Sequence, residues 1–140
     1  YPELWEEFVK RANRRGFCSE ILPYEQALMG VKKLRKYCDV KVVTAPIDAV
    51  PWMYERTHWL QDHFSFSKDD IIFANAKQHV TGDVFVDDKP DNVIKWSEAN
   101  PSGLAILWEH PYNKKVILPE GIIRTSDWNE LVALVKEISR

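Results

Sequence analysis

Three short stretches of this chain carry side chains suited to chemistry. Thr44-Ala45-Pro46 closes an apolar run at residues 40–45, and Lys77 follows a second run at 71–74. Asp87-Asp88-Lys89-Pro90-Asp91-Asn92 follows a third run at 84–86. The set is a hydroxyl, an ammonium and a cluster of carboxylates. A phosphate takes a hydroxyl donor, exposed backbone N–H groups and a cation. Adjacent carboxylates suit Mg²⁺, which takes oxygen ligands and keeps waters. Together they describe a Mg²⁺-assisted phosphate site. Each residue also has an ordinary alternative. Thr44 can be a β-branched strand end, and Lys77 a solvated loop lysine. Asp87, Asp88 and Asp91 can be caps and first-turn charges before and within a helix opened by Pro90. What favours the site is the joint order of these residues at successive strand ends.

Those positions need elements to hold them. Pro2 suits a first helical turn, Leu4, Phe8, Val9 and Ala12 share a stripe, and Gly16 can end that helix. A second helix follows Pro23, with Ala27, Leu28, Val31 and Leu34 on its apolar face. Residues 40–45 read as a buried strand. Asp48 is placed to cap a third helix, with Pro51 in its first turn and Trp52, Trp59, Leu60 and Phe64 inside. Strands at 71–74 and 84–86 precede a short helix from Pro90 carrying Val93 and Trp96. A fourth strand spans 104–108, and Ile122-Ile123 end a further short one. Ser126 is placed to cap a last helix built on Trp128, Leu131, Val132, Val135 and Ile138. Helices alternating with short, uniformly apolar strands predict an α/β fold with a parallel sheet covered on both faces. In such sheets ligands bind beyond the carboxyl ends of the strands, where the three stretches fall.

Composition sets the outer limits. The chain has 140 residues, 45% hydrophobic and 29% charged, with a formal net charge of −2. That length predicts one domain, 1–140, with residues 1–22 an appendage ahead of the first strand. The apolar share and small net charge exclude a disordered chain. The acidic balance points away from nucleic-acid binding. No apolar run approaches the roughly 20 residues needed to span a bilayer, so no membrane partner is expected. Cys18 and Cys38 form no C-x-x-C pair and read as buried apolar residues in a reducing compartment. His58, His63, His79 and His110 lack the three- or four-residue spacing of a helical zinc motif. No signal-peptide pattern opens the sequence, so a cytoplasmic location is the expectation.

The motifs also carry a resemblance. It runs from Gly16-Phe17-Cys18 and Pro23 through Val42-Val43-Thr44-Ala45-Pro46, Trp59-Leu60 and Ile71-Ile72-Phe73 to Lys77. It continues through Val86-Asp87-Asp88-Lys89-Pro90 to Ser126-Asp127-Trp128. In this order the chain resembles the haloacid-dehalogenase-like (HAD) phosphatases, and within them the 5′(3′)-deoxyribonucleotidases of the 5′-nucleotidase deoxy (pyrimidine) type C family. The resemblance implies a HAD-like Rossmannoid three-layer sandwich with a mainly parallel sheet, 1–22 being a remnant of a helical cap and 23–140 the core. It implies that the Thr44 hydroxyl, beside Ala45, binds a phosphoryl group and that the Lys77 ammonium offsets charge on it. Asp87 and Asp88 match the motif that holds Mg²⁺. Phe17, and after it Trp5, is placed to stand over a base. Asn75 occupies a position where the family often has an Arg, and Arg56 is a further phosphate candidate.

One part of the family pattern is absent. The family's nucleophilic Asp and its acid–base Asp are separated by one residue, and no two aspartates in this chain have that spacing. The strand that carries them is the central one, so the resemblance implies a sheet missing its usual first strand and most of its cap. Three arrangements answer this: a complementing N-terminal polypeptide, direct closure of the sheet without a catalyst, or a homodimer made by strand exchange. The expected function is a Mg²⁺-dependent phosphomonoesterase acting on a phosphorylated small molecule, a (deoxy)nucleoside monophosphate by family, through an aspartyl-phosphate. The competing expectation is a catalytically inactive HAD-like phosphate- and Mg²⁺-binding module. A third is a structural or interaction domain with a relic site; the basic stretch Lys32, Lys33, Arg35 and Lys36 suits polyphosphate or nucleic acid, but a solvated helix face is the better reading of it.

Overall fold

The computed structural model describes residues 2–140 and divides at Asn75/Ala76 into two compact units, each with its own sheet and core. In the first unit, helix α1 (Pro2–Ala12) starts on Pro2 and Glu3 and ends on Lys10 and Arg11, charges that complement its dipole. Helix α2 spans Glu25–Leu34. Strand β1 (Val42–Thr44) pairs in parallel with β2 (Ile71–Phe73), Thr44 lying opposite Phe73. The crossover between them contains α3 (Val50–Phe64) and a 3-10 turn, Lys68–Asp70. Ser65 ends α3 in the left-handed region at φ 57° and donates its N–H to the Gln61 carbonyl.

Two apolar clusters support this unit. Trp59, Leu60 and Phe66 pack with Val31, Val42 and Ile71, which fixes α2 and α3 against the strands. Ala12, Cys18, Ala49 and Trp52 gather Phe8 and Phe17 around them. The segment after α1 is held to α3 by Glu55, whose carboxylate accepts N–H bonds from Gly16 (2.5 Å) and Cys18 (3.2 Å).

The second unit is a parallel three-stranded sheet in the order β3 (Val84–Asp87), β4 (Leu104–Trp108), β5 (Ile123–Thr125). Helix α4 (Pro90–Ala99) crosses from β3 to β4, and α5 (Trp128–Ile138) follows β5. Phe85, Val93, Trp96, Ala105 and Leu107 form the core. Trp96 stacks on Phe85 at 5.1 Å and donates its indole N–H to the Val80 carbonyl at 2.7 Å. Gly103 permits that packing, because a Cβ there would lie 2.4 Å from the Trp96 ring.

The α/β class and parallel pairing follow the sequence pattern, but several local expectations are corrected. The strands form two sheets rather than one; among the described residues β1 bonds only β2 and β3 bonds only β4. Helix α1 stops at Ala12, and Gly16 instead takes a positive φ of 86° in the following turns. Ala49, not Asp48, is the residue before α3, and it gives no side-chain cap. Asp127, not Ser126, caps α5, accepting from the Asn129 N–H at 2.8 Å. The first strand is shorter than 40–45, and the last runs to Thr125 rather than ending at Ile123. Cys18 is buried as expected, but Cys38 is exposed because it falls in the loop after α2, its thiol donating to the Leu34 carbonyl. On β3, Phe85 and Asp87 are buried whereas Val86 is 37% exposed, so the strand is not covered on both faces.

Candidate active site

Asp87 is the last residue of β3, and α4 begins three residues on at Pro90, with Lys89 at its cap position. The strand therefore delivers a carboxylate to a helix N-terminus, where negative charge is favoured. Its two oxygens are fully engaged. Oδ1 accepts the Lys89 backbone N–H at 2.8 Å, and Oδ2 accepts the Lys77 ammonium at 2.7 Å and the Asn92 amide at 3.2 Å. Lys77 begins a 3-10 turn, Lys77–His79, that precedes β3. The two side chains are 14% and 5% exposed, so the pair is buried and each charge depends on the other.

Asp88, one residue on, is exposed and held from another strand end. Its side-chain Oδ2 accepts the Tyr112 hydroxyl, and its backbone carbonyl accepts the Asn113 amide at 2.8 Å. Burial, and then the bond to Asp88, hold the Tyr112 phenol above its ordinary pKa, so it remains a donor. Asn113 is 1% exposed and also bonds the Trp108 carbonyl at 2.8 Å and the His110 N–H at 2.9 Å.

This donor set suits a divalent magnesium ion as two neighbouring carboxylates do: one or two carboxylates, with water and a substrate phosphate completing the shell. Asp88 has an oxygen outside its bond to Tyr112, whereas both Asp87 oxygens already face donors. Among the described residues no cluster of three or more His, Cys, Asp or Glu side chains is assembled. The chain thus brings an ammonium and two carboxylates to one sheet end but no complete ligand cage.

The other sequence candidates belong to the first unit. Thr44 ends β1 half-buried, its carbonyl accepting the Ala74 N–H, and Ala45 follows it exposed. Phe17 lies 5.9 Å from Phe8 and 6.3 Å from Trp52, ring to ring, and Trp5 stacks on Phe8 at 5.4 Å with 56% of its surface exposed. Arg56 is turned inward, its guanidinium 4.6 Å from the Trp59 ring centre, and its Nε is buried without a hydrogen-bond partner. Burial lowers its pKa and raises that of Cys18.

Sequence reasoning singled out Asp87, Asp88 and Lys77 but passed over Tyr112 and Asn113. The strand-end rule that located the others applies equally to the segment after β4, where both residues lie.

The chain is 29% identical over 131 residues to the mouse (Mus musculus) mitochondrial 5′(3′)-deoxyribonucleotidase, covering 91% of this chain and 59% of that protein. It is 27% identical over 131 residues to the human (Homo sapiens) mitochondrial 5′(3′)-deoxyribonucleotidase, covering 91% of this chain and 57% of that one. The chain thus spans less than two-thirds of the length of either relative. Residues 1–139 match the family described as 5′ nucleotidase, deoxy (Pyrimidine), cytosolic type C protein, and the chain belongs to that family.

Proposed function

We propose that this chain forms the phosphate-handling part of a phosphomonoesterase acting on (deoxy)nucleoside monophosphates. The observation that carries the proposal is the buried Lys77–Asp87 pair, 2.7 Å apart beside Asp88, within a chain matched to the nucleotidase family along 1–139. A lysine held this way is fixed in position and charged, as required to offset negative charge on a phosphoryl group. Thr44, Phe17 and Arg56 of the first unit stand as candidates from the sequence alone, Thr44 and Arg56 for phosphate and Phe17 for the base. Asp88 is the residue proposed to hold Mg²⁺ directly, with Asp87 behind it. A bound magnesium ion supplies charge stabilisation at the phosphoryl oxygens.

No two aspartates here are separated by one residue, so the nucleophile is proposed to come from a segment outside these 140 residues. That Asp would attack phosphorus and release the nucleoside, and water would then hydrolyse the aspartyl-phosphate to free phosphate. The unpaired side of β3, beside Asp87, supplies backbone groups with which such a strand can bond.

The test combines the chain with a polypeptide carrying an Asp-x-Asp strand and measures phosphate release from a deoxynucleoside monophosphate, with and without Mg²⁺. The expected result is Mg²⁺-dependent release that falls at least 100-fold in Lys77→Met, the scale of one lost charge-stabilising group. A complex that forms, binds the nucleotide and releases no phosphate establishes the binding-module alternative instead.

A further inference from the structure

We infer that Tyr112 and Asn113 are positioning residues for Asp88, a role that rests on the proposed use of Asp88 as a magnesium ligand. Asp88 follows the end of a strand, and its exposed side chain has no packing to fix its rotamer. Its fixed points come from residues 24 and 25 positions later in the chain, in the turn that follows β4. Asn113 uses one amide group to hold the carbonyls of both Asp88 and Trp108, clamping the ends of adjacent strands together. Its own oxygen accepts the His110 N–H, and the His110 carbonyl accepts the Asn113 N–H at 3.1 Å, closing a tight turn. Arg124, on β5, donates to the Asn113 carbonyl at 2.9 Å. The strand ends are therefore cross-tied beneath Asp88.

Tyr112 completes the arrangement at the side chain. Tyr112 is 67% exposed, so core packing does not explain its placement. The ring stacks on His110 at 5.2 Å and 15°, which aims the hydroxyl at Asp88 Oδ2. One carboxylate oxygen is thereby held, on an exposed residue whose other oxygen lies outside that bond. A hydrogen bond of this kind orients a metal-binding carboxylate for the ion.

The experiment is a Mn²⁺ titration of the 140-residue chain, with Mn²⁺ standing in for Mg²⁺, read by broadening of the Asp88 and Lys89 amide signals in NMR and reversed by added Mg²⁺. Tyr112→Phe keeps the ring and removes only the hydroxyl. It is expected to weaken the Mn²⁺ half-saturation about tenfold while leaving the melting temperature unchanged. A merely structural tyrosine would not separate these two readouts. Asn113→Ser, which keeps a small polar group, is expected to weaken Mn²⁺ binding and also to broaden the turn signals. If the wild-type chain and Asp88→Asn titrate alike, the metal assignment falls, and this inference with it. If Asp88→Asn abolishes the effect but Tyr112→Phe titrates like wild type, only the positioning role is overturned.

Discussion

The Lys77–Asp87 pair shows how much one contact carries. Both charges are removed from water, and the carboxylate is further held by the Asn92 amide and the Lys89 N–H. Removing the ammonium in Lys77→Met leaves that carboxylate uncompensated and is expected to cost about 3–5 kcal/mol in urea unfolding. Adding Asp87→Asn should recover part of the loss, and a double variant no better than the single would contradict the coupling. Cys18 makes a second residue-scale prediction. Burial raises its thiol pKa, so the neutral thiol is the folded form. A raised folded pKa means the stabilisation is complete below the unfolded thiol pKa of about 8.5 and is lost as pH rises through the higher folded value. Denaturation midpoints should therefore fall as pH climbs above about 9, and Cys18→Ser should flatten that fall. Under native conditions iodoacetamide should modify exposed Cys38 and leave Cys18 untouched until the chain unfolds.

At the level of elements, the second unit depends on close packing at one turn. Gly103 lets the chain enter β4 directly beneath Trp96, whose indole is tethered to the Val80 carbonyl and cannot easily withdraw. Gly103→Ala is expected to destabilise by about 1–3 kcal/mol through overpacking, measured by thermal unfolding. Much of this organisation was legible in the sequence. The apolar runs gave the strands, and Pro90 opened α4 as its position required. The helix starts at α3 and α5 were misplaced by one residue, because Asp48 and Ser126 are plausible caps and only backbone conformation separates them from Ala49 and Asp127. Tyr112 and Asn113 were not legible at all as partners of Asp88. Their contacts span 24 and 25 residues and depend on β3 and β4 being neighbours in register, information that no local pattern contains. Arg56 likewise gave no sign of turning toward Trp59 rather than outward.

For the molecule as a whole, the division at Asn75/Ala76 is the feature that length and composition did not reveal. An isolated pair of short strands is marginal, whereas three strands with a helix packed on them hold together. Hydrogen exchange should accordingly separate the chain into two classes. Amides of β1 and β2 should exchange faster than those of β4, which is bonded on both sides and carries Ile106 and Leu107 at 0% exposure. Uniform protection of all five strands would show that the units open together. The family match covers 1–139 without regard to this division.

The half-paired strands β1 and β3 bear on solubility as well. A strand bonded on one side is a template on which foreign chains can add, the first step toward fibres. β1 offers three residues and β3 four, too short for a six-residue zipper. Lys41, held by Asp39 and Asp70, stands directly before β1, and Asp87 and Asp88 terminate β3 in negative charge. Brevity and flanking charge together make these strands poor seeds for indiscriminate assembly, while leaving them able to accept a strand whose own charges match.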